Sequence, residues 1–214
     1  MISTVVFDFD GTLVDSNAIK RQGFFDVVAE HPGGAARMAK VLEQAHGDRK
    51  SLFAAYVALA ASEGVPVAQN VERLVRAYSD MTDVHVAAAR EMPGAIALLN
   101  ALREHRRRLY LSSATPLVNL REVVERRGWT ELFQGIFGSP TTKREALKDI
   151  METTGTDVSS LAVVGDGVDD RDCAAFVGCA FFAVGEARGG EANERVFTLP
   201  QLCDHLLTGA GSLS

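Results

Sequence analysis

The spacing of apolar residues divides the chain into three stretches. Thr4-Val5-Val6-Phe7 is a short β-branched and aromatic run that reads as a buried strand. Residues 17–90 are rich in Ala, Val and Leu at helical spacing and contain no convincing strand. Phe24, Phe25, Val27 and Val28 start a first helix there, and Pro32-Gly33-Gly34 breaks it. Met38, Val41, Leu42 and Ala45 follow the i, i+3, i+4, i+7 pattern of a second helix. Leu52, Tyr56 and Leu59 mark a third, ended by Gly64-Val65-Pro66, and Val71, Leu74, Val75 and Tyr78 a fourth. Beyond residue 90 strand and helix patterns alternate. Strands are expected at 109–112, near Ile136-Phe137, at 161–165 and at 180–184, with helices at 117–127, 143–153 and 170–177 between them.

Alternating strands and helices imply a parallel sheet with crossover helices. The expected fold class is α/β: a Rossmann-like parallel sheet core flanked by helices, interrupted by an inserted all-α domain. The core is assigned to residues 1–15 and 90–214, and the helical insertion to residues 16–89. Val196-Phe197 and a helix from Leu199 to Leu207 close the core, and the tail from Gly209 to Ser214 is expected to fray.

Composition narrows the function. Apolar residues make up 47% of the chain, enough for a substantial core, and the net charge is −6. That charge disfavours a general role on nucleic acid or anionic membranes. No apolar run reaches the length of a membrane span and no signal peptide is visible, so a cytoplasmic protein is expected. Cys173, Cys179 and Cys203 show neither metal-ligand nor redox spacing and read as reduced, packed thiols. Arg106-Arg107-Arg108 reads as a solvated basic helix end, and Gly185 to Gly190 as a plain loop without a Walker lysine. The five histidines form no pair at ligand spacing; His46, beside a turn in the helical insertion, is the one with a chance of touching substrate.

The chemistry gathers at strand ends. Asp8 and Asp10 follow the first strand two residues apart, a spacing that points both carboxylates the same way. Gly11 lets the backbone turn and approach a ligand. Far downstream, Val163-Val164-Gly165-Asp166-Gly167-Val168-Asp169-Asp170 is another strand running into carboxylates. Aspartates at the strand ends of an α/β sheet suggest a Mg²⁺ site, and one of them is a candidate nucleophile.

With these residues in order, the chain resembles the haloacid dehalogenase superfamily in its phosphatase branch, of the phosphoglycolate phosphatase and β-phosphoglucomutase-like kind. Asp8-Phe9-Asp10-Gly11-Thr12 matches the first motif. Ser112 matches the second, Lys143 the third, and Gly165-Asp166 with Asp170 the fourth. The resemblance makes the helical insertion a cap, hinged at about residues 14–16 and 82–90. It implies a Mg²⁺-dependent phosphatase acting on a small soluble phosphomonoester through an aspartyl-phosphate. Asp8 is then the nucleophile and Asp10 the acid and base. Mg²⁺ bridges Asp8, Asp166 and the phosphate, with the Asp10 backbone carbonyl as a further ligand. Asp170 steadies the metal or its waters, a role Asp169 is able to exchange with it. Ser112 and Lys143 bind the phosphoryl oxygens, with Ser113 the rival to Ser112. Gly11, Thr12 and Ser113 line the substrate. Arg49 and Lys50, after the turn Gly47-Asp48, are placed to meet a second anionic group on it.

Asp10 favours phosphoester chemistry, because the dehalogenase and phosphonate-cleaving branches lack the second aspartate. Ser112-Ser113-Ala114 and Lys143-Arg144-Glu145 depart from the threonine-asparagine and lysine-proline of phosphoglycolate phosphatases, which argues against phosphoglycolate itself. A sugar-phosphate mutase with the same aspartates is the first rival. A non-catalytic metal-dependent binding protein on this fold is the second.

Overall fold

A computed structural model describes residues 1–45, 47–185 and 196–208. His46, the glycine-rich loop from residue 186 to 190 and the tail from Gly209 lie outside the described residues. The chain divides into two compact units, one of residues Met1–Asp15 and Ala89–Ser214, the other of Ser16–Ala88.

The first unit is built on β1 (Thr4–Phe7), β2 (Arg108–Pro116), β3 (Gly135–Ser139), β4 (Leu161–Gly165), β5 (Ala180–Val184) and β6 (Val196–Phe197). Among the described residues they form one parallel sheet in the order β3-β2-β1-β4-β5-β6. The chain leaves β1 toward β2 on one side and reaches β4 on the other, so the order reverses at β1. In such sheets the carboxyl ends of the strands at the reversal open a crevice. Asp8, Ser112, Ser113 and Asp166 all lie at or beside those ends.

Register shows why one face of the sheet leads to the site. Val6 pairs with Tyr110 on one side and Val163 on the other, forming a buried row. Leu147 and Ile150 of α7 (Lys143–Thr154) and Cys173 and Ala174 of α8 (Val168–Val177) belong to the same apolar cluster. Full burial of each large apolar side chain contributes about 1.5–3 kcal/mol. This packing brings the first turns of α7 and α8, with Lys143 and Asp170, over the row's end. Asp8, two residues past Val6, stands on the same face. Burial pushes the Cys173 thiol up to about 12, in keeping with a packed, reduced side chain. The remaining helices of this unit are α5 (Ala95–Glu104), α6 (Leu117–Arg126) and α9 (Leu199–Thr208).

The second unit is all helical: α1 (Asn17–Val27), α2 (Gly34–Gln44), α3 (Arg49–Ser62) and α4 (Val71–Ala88). Phe24, Phe53, Tyr56 and Tyr78 sit at its centre, with Met38, Val41 and Leu74 around them. The first helix departs from expectation. It begins seven residues before Phe24, so Phe24, Phe25 and Val27 lie in its last turns. Its first six residues, Asn17 to Gln22, include no fully buried side chain and only Ala18 and Ile19 among apolar ones, which leaves them without the apolar periodicity that betrays a helix. No helix among the described residues is long and apolar enough to cross a membrane.

Candidate active site

β1 ends at Phe7, and the Asp8 N–H still donates to the Val164 carbonyl at 2.9 Å. Asp8 is therefore held to the end of the sheet, on the α7–α8 face. Its Oδ1 lies 3.2 Å from Lys143 Nζ. The same ammonium lies 2.7 Å from Asp170 Oδ1 and 2.9 Å from Asp169 Oδ2. Lys143 reaches this point because a capping box starts α7 at that residue. The Glu145 N–H donates to Thr142 Oγ1 at 3.2 Å, and the Thr142 N–H donates to Glu145 Oε2 at 2.8 Å. Glu145 is thus what closes this helix start.

Asp166 follows β4 as Asp8 follows β1. The carboxylates of Asp8, Asp166 and Asp170 are all buried, with oxygens within 4.8 Å of one another. Asp170 takes the inner place because it is third in α8, where its Oδ2 accepts from the Gly167 N–H at 3.3 Å. Asp169 stays 62% exposed and meets Lys143 from the solvent side. The choice between the two, open in the sequence, falls to Asp170 for the buried cluster. Gly165 makes room for it: a Cβ there would run into the Asp170 carboxylate.

Charge in this cluster is poorly balanced by the protein alone. Burial raises the Asp8 carboxyl well above the usual range, and Asp170, Asp166 and Asp169 add repulsion against the attraction of Lys143. Burial likewise lifts Asp170 to about 6, although Lys143 pulls the other way. Burial also works against the Lys143 charge, but Asp8, Asp170 and Asp169 together outweigh it and raise its pKa. Three buried carboxylates, two of them paired with the one lysine, form an all-oxygen donor set with negative charge in excess. That set fits a hard divalent cation such as Mg²⁺.

Asp10 lies outside this cluster. Its carboxylate does not follow Asp8 into the cluster. β1 ends at Phe7, and Asp10 lies three residues beyond it, bridged to Val14 across the turn at residues 11–13. Its Oδ2 accepts hydrogen bonds from Ser113 Oγ at 3.2 Å and Thr115 Oγ1 at 3.0 Å. Ser112 and Ser113, rivals in the sequence, are split between the two aspartates. Ser112 lines a small crevice with Asp8, Lys143 and Asp170, while Ser113 serves Asp10. Thr12 is fully buried and its hydroxyl donates to Asp166 Oδ1 at 3.4 Å. Gly11 turns the chain at φ 78°. Thr115 is the residue that sequence reasoning missed. Its signal was the hydroxyl two positions after Ser113, just before Pro116.

Arg49 and Lys50 begin α3 in the helical unit. The Arg49 guanidinium donates to Ser79 Oγ at 2.6 Å and lies 5.0 Å over the Tyr78 ring, so it is engaged within its own unit. Lys50 is exposed.

The sequence profile of haloacid dehalogenase-like hydrolases matches residues 5–184. The chain belongs to that family. No curated protein matches it in sequence. Its fold is shared by solved structures of low identity. A predicted phosphoglycolate phosphatase from Haemophilus somnus superposes with a TM-score of 0.78 at 16% identity, over 97% of this chain and 98% of that one. CbbY from Rhodobacter sphaeroides, in complex with phosphate, gives 0.76 at 18% identity, over 94% and 96%. The HAD-hydrolase YfnB from Bacillus subtilis, bound to magnesium, gives 0.69 at 15% identity, over 97% and 99%.

Proposed function

We propose that this hydrolase is a Mg²⁺-dependent phosphatase that cleaves a small phosphomonoester through an aspartyl-phosphate on Asp8. The observation that carries the reading is the different surroundings of the two aspartates that follow β1. Asp8 belongs to a cation-type cluster beside Lys143, whereas Asp10 is held apart on two hydroxyls. A nucleophile needs the first environment and a proton carrier the second.

Asp8, Asp166 and Asp170 would hold the metal, with the Asp10 carbonyl as the further ligand that the family resemblance implies. Bound there, the cation supplies positive charge that lets a carboxylate approach an anionic phosphoryl group. The protein residues do the rest. Asp8 attacks phosphorus as the bond to the leaving oxygen breaks, and Asp10 gives that oxygen its proton. Lys143 and Ser112 hold the phosphoryl oxygens on the α7–α8 face. In the second half, Asp10 takes a proton from water as the water oxygen attacks phosphorus and frees Asp8. The sum is ester plus water to alcohol plus phosphate.

The neighbours that bind phosphate and magnesium support this reading by likeness of fold. The test is release of inorganic phosphate from a panel of phosphorylated metabolites with Mg²⁺. Turnover that stops in chelator and returns with Mg²⁺ is expected. Substrate isomerised without free phosphate would favour the mutase, and no turnover of any ester would favour a binding protein.

A further inference from the structure

The link between β2 and α6 is built around Asp10. Ser113 pairs with Gly138 of β3, and the next pair is Pro116 with Ser139. Three steps along β2 therefore match one step along β3. The surplus, Ala114 and Thr115, forms a bulge that re-aims its side chains. Gly138 permits this, because a Cβ there would come within 2.6 Å of the Thr115 carbonyl oxygen and 2.7 Å of Leu117 Cα. Inside the bulge the Thr115 N–H donates to Ser113 Oγ at 3.1 Å. With that acceptor site filled, the Ser113 hydroxyl turns its proton to Asp10 Oδ2, where the Thr115 hydroxyl also donates. Ser113, Thr115 and Asp10 are all buried, so water competes poorly for these bonds.

We infer that Thr115, working with Ser113, is a positioning residue that fixes which oxygen of Asp10 exchanges protons with the leaving group and with water. A carboxylate oxygen accepts along about two lone-pair directions. Two hydroxyls occupy those of Oδ2, so the transferable proton is carried on Oδ1. In ester cleavage the Oδ1 proton passes to the leaving oxygen as its bond to phosphorus breaks. In phosphoenzyme hydrolysis Oδ1 regains a proton from the attacking water. Oδ2 keeps its two donors throughout, and the carboxyl plane does not rotate between the half-reactions. Neither hydroxyl needs to leave Asp10 for this role, and Thr115 does not itself touch phosphorus.

This inference rests on the phosphatase reading, and one experiment separates the two. Wild type, Thr115→Val, Thr115→Ser and Ser113→Ala are assayed on substituted phenyl phosphates from 4-nitrophenyl to phenyl phosphate, with saturating Mg²⁺. A good leaving group needs little protonation and a poor one needs it most. Since proton transfer by a positioned side chain contributes roughly 10²–10⁴-fold, Thr115→Val should lose about tenfold or more in kcat/KM on phenyl phosphate and less than about twofold on 4-nitrophenyl phosphate. The loss that depends on the leaving group should appear in kcat/KM, which reports phosphoenzyme formation, and Thr115→Ser should restore both substrates. If Thr115→Val does not fold, Ser113→Ala decides, read by its dependence on leaving group and not by its level. Equal losses in kcat/KM across the series in an active protein would overturn the role of Thr115 alone. A wild type that releases phosphate from none of the esters would overturn the phosphatase reading and this one together.

Discussion

Lys143 and Asp170 meet at 2.7 Å, nitrogen to oxygen, where the first turns of two neighbouring helices converge on the end of β1. The lysine is 11% exposed and the aspartate 2%, so the pair is screened from water while remaining next to Asp8. Removing one partner of such a buried pair leaves the others uncompensated. Lys143→Met should therefore lower the stability of chelator-treated protein by about 3–5 kcal/mol. The loss is limited where Asp170 takes up a proton instead. Urea unfolding with and without Mg²⁺ measures it, and on the proposed mechanism, in which Lys143 holds the phosphoryl group that all substrates share, turnover should be lost on every phosphate ester alike. Selective loss on one substrate would remove Lys143 from phosphoryl binding.

The same burial makes the benefit of metal depend on pH. In the folded protein Asp170 titrates at about 6, above its ordinary value of 3.8. A group raised in this way stabilises the fold most below its unfolded pKa. That contribution is lost as pH rises through the folded value. Without cation, stability from Asp170 should fall between about pH 4 and pH 6, with a slope of at most about 1.36 kcal/mol per pH step of one. Mg²⁺ competes with that proton, so it should raise the melting temperature more at about pH 7.5 than at about pH 5. An equal rise at both would mean that Asp170 is not part of the metal site.

Asp8→Asn tests the nucleophile. The change is nearly isosteric at a strand end, so circular dichroism and melting should stay close to wild type. Turnover should fall nearly to zero, because an amide is a very poor nucleophile. Turnover near that of wild type would remove Asp8 from its role.

Arg49 and Lys50, equal candidates in the sequence, are expected to part. Arg49→Ala loses the bond to Ser79 and the contact with the Tyr78 ring, and should destabilise the helical unit by about 1–2 kcal/mol. Lys50→Ala should leave stability unchanged. Proteolysis or hydrogen exchange confined to residues 16–88 reads this out. If either residue meets the part of the substrate beyond the phosphate, its variant will lose activity on the metabolite and keep it on 4-nitrophenyl phosphate.

Much of this protein was determined by local patterns that survive in a single sequence. The run Thr4–Phe7, the later strands and the alternation beyond residue 90 imply the parallel sheet, because a buried strand must be apolar over its short length. The carboxylates at strand ends mark the site, because Asp8 and Asp166 close apolar runs where no structural need calls for charge. Three decisions belong to the tertiary structure. Asp170 was chosen over Asp169 by its place as third residue of α8, which turns it back toward Gly167 and under Lys143. Ser112 and Ser113 were sent to different aspartates by the alternation of β2, whose register against β1 a sequence does not display. Asp10 met Ser113 and Thr115 because β2 bulges where Gly138 leaves room. Each of these depends on contacts between residues far apart along the chain or on a helix boundary set to the residue, and neither leaves a trace in local periodicity.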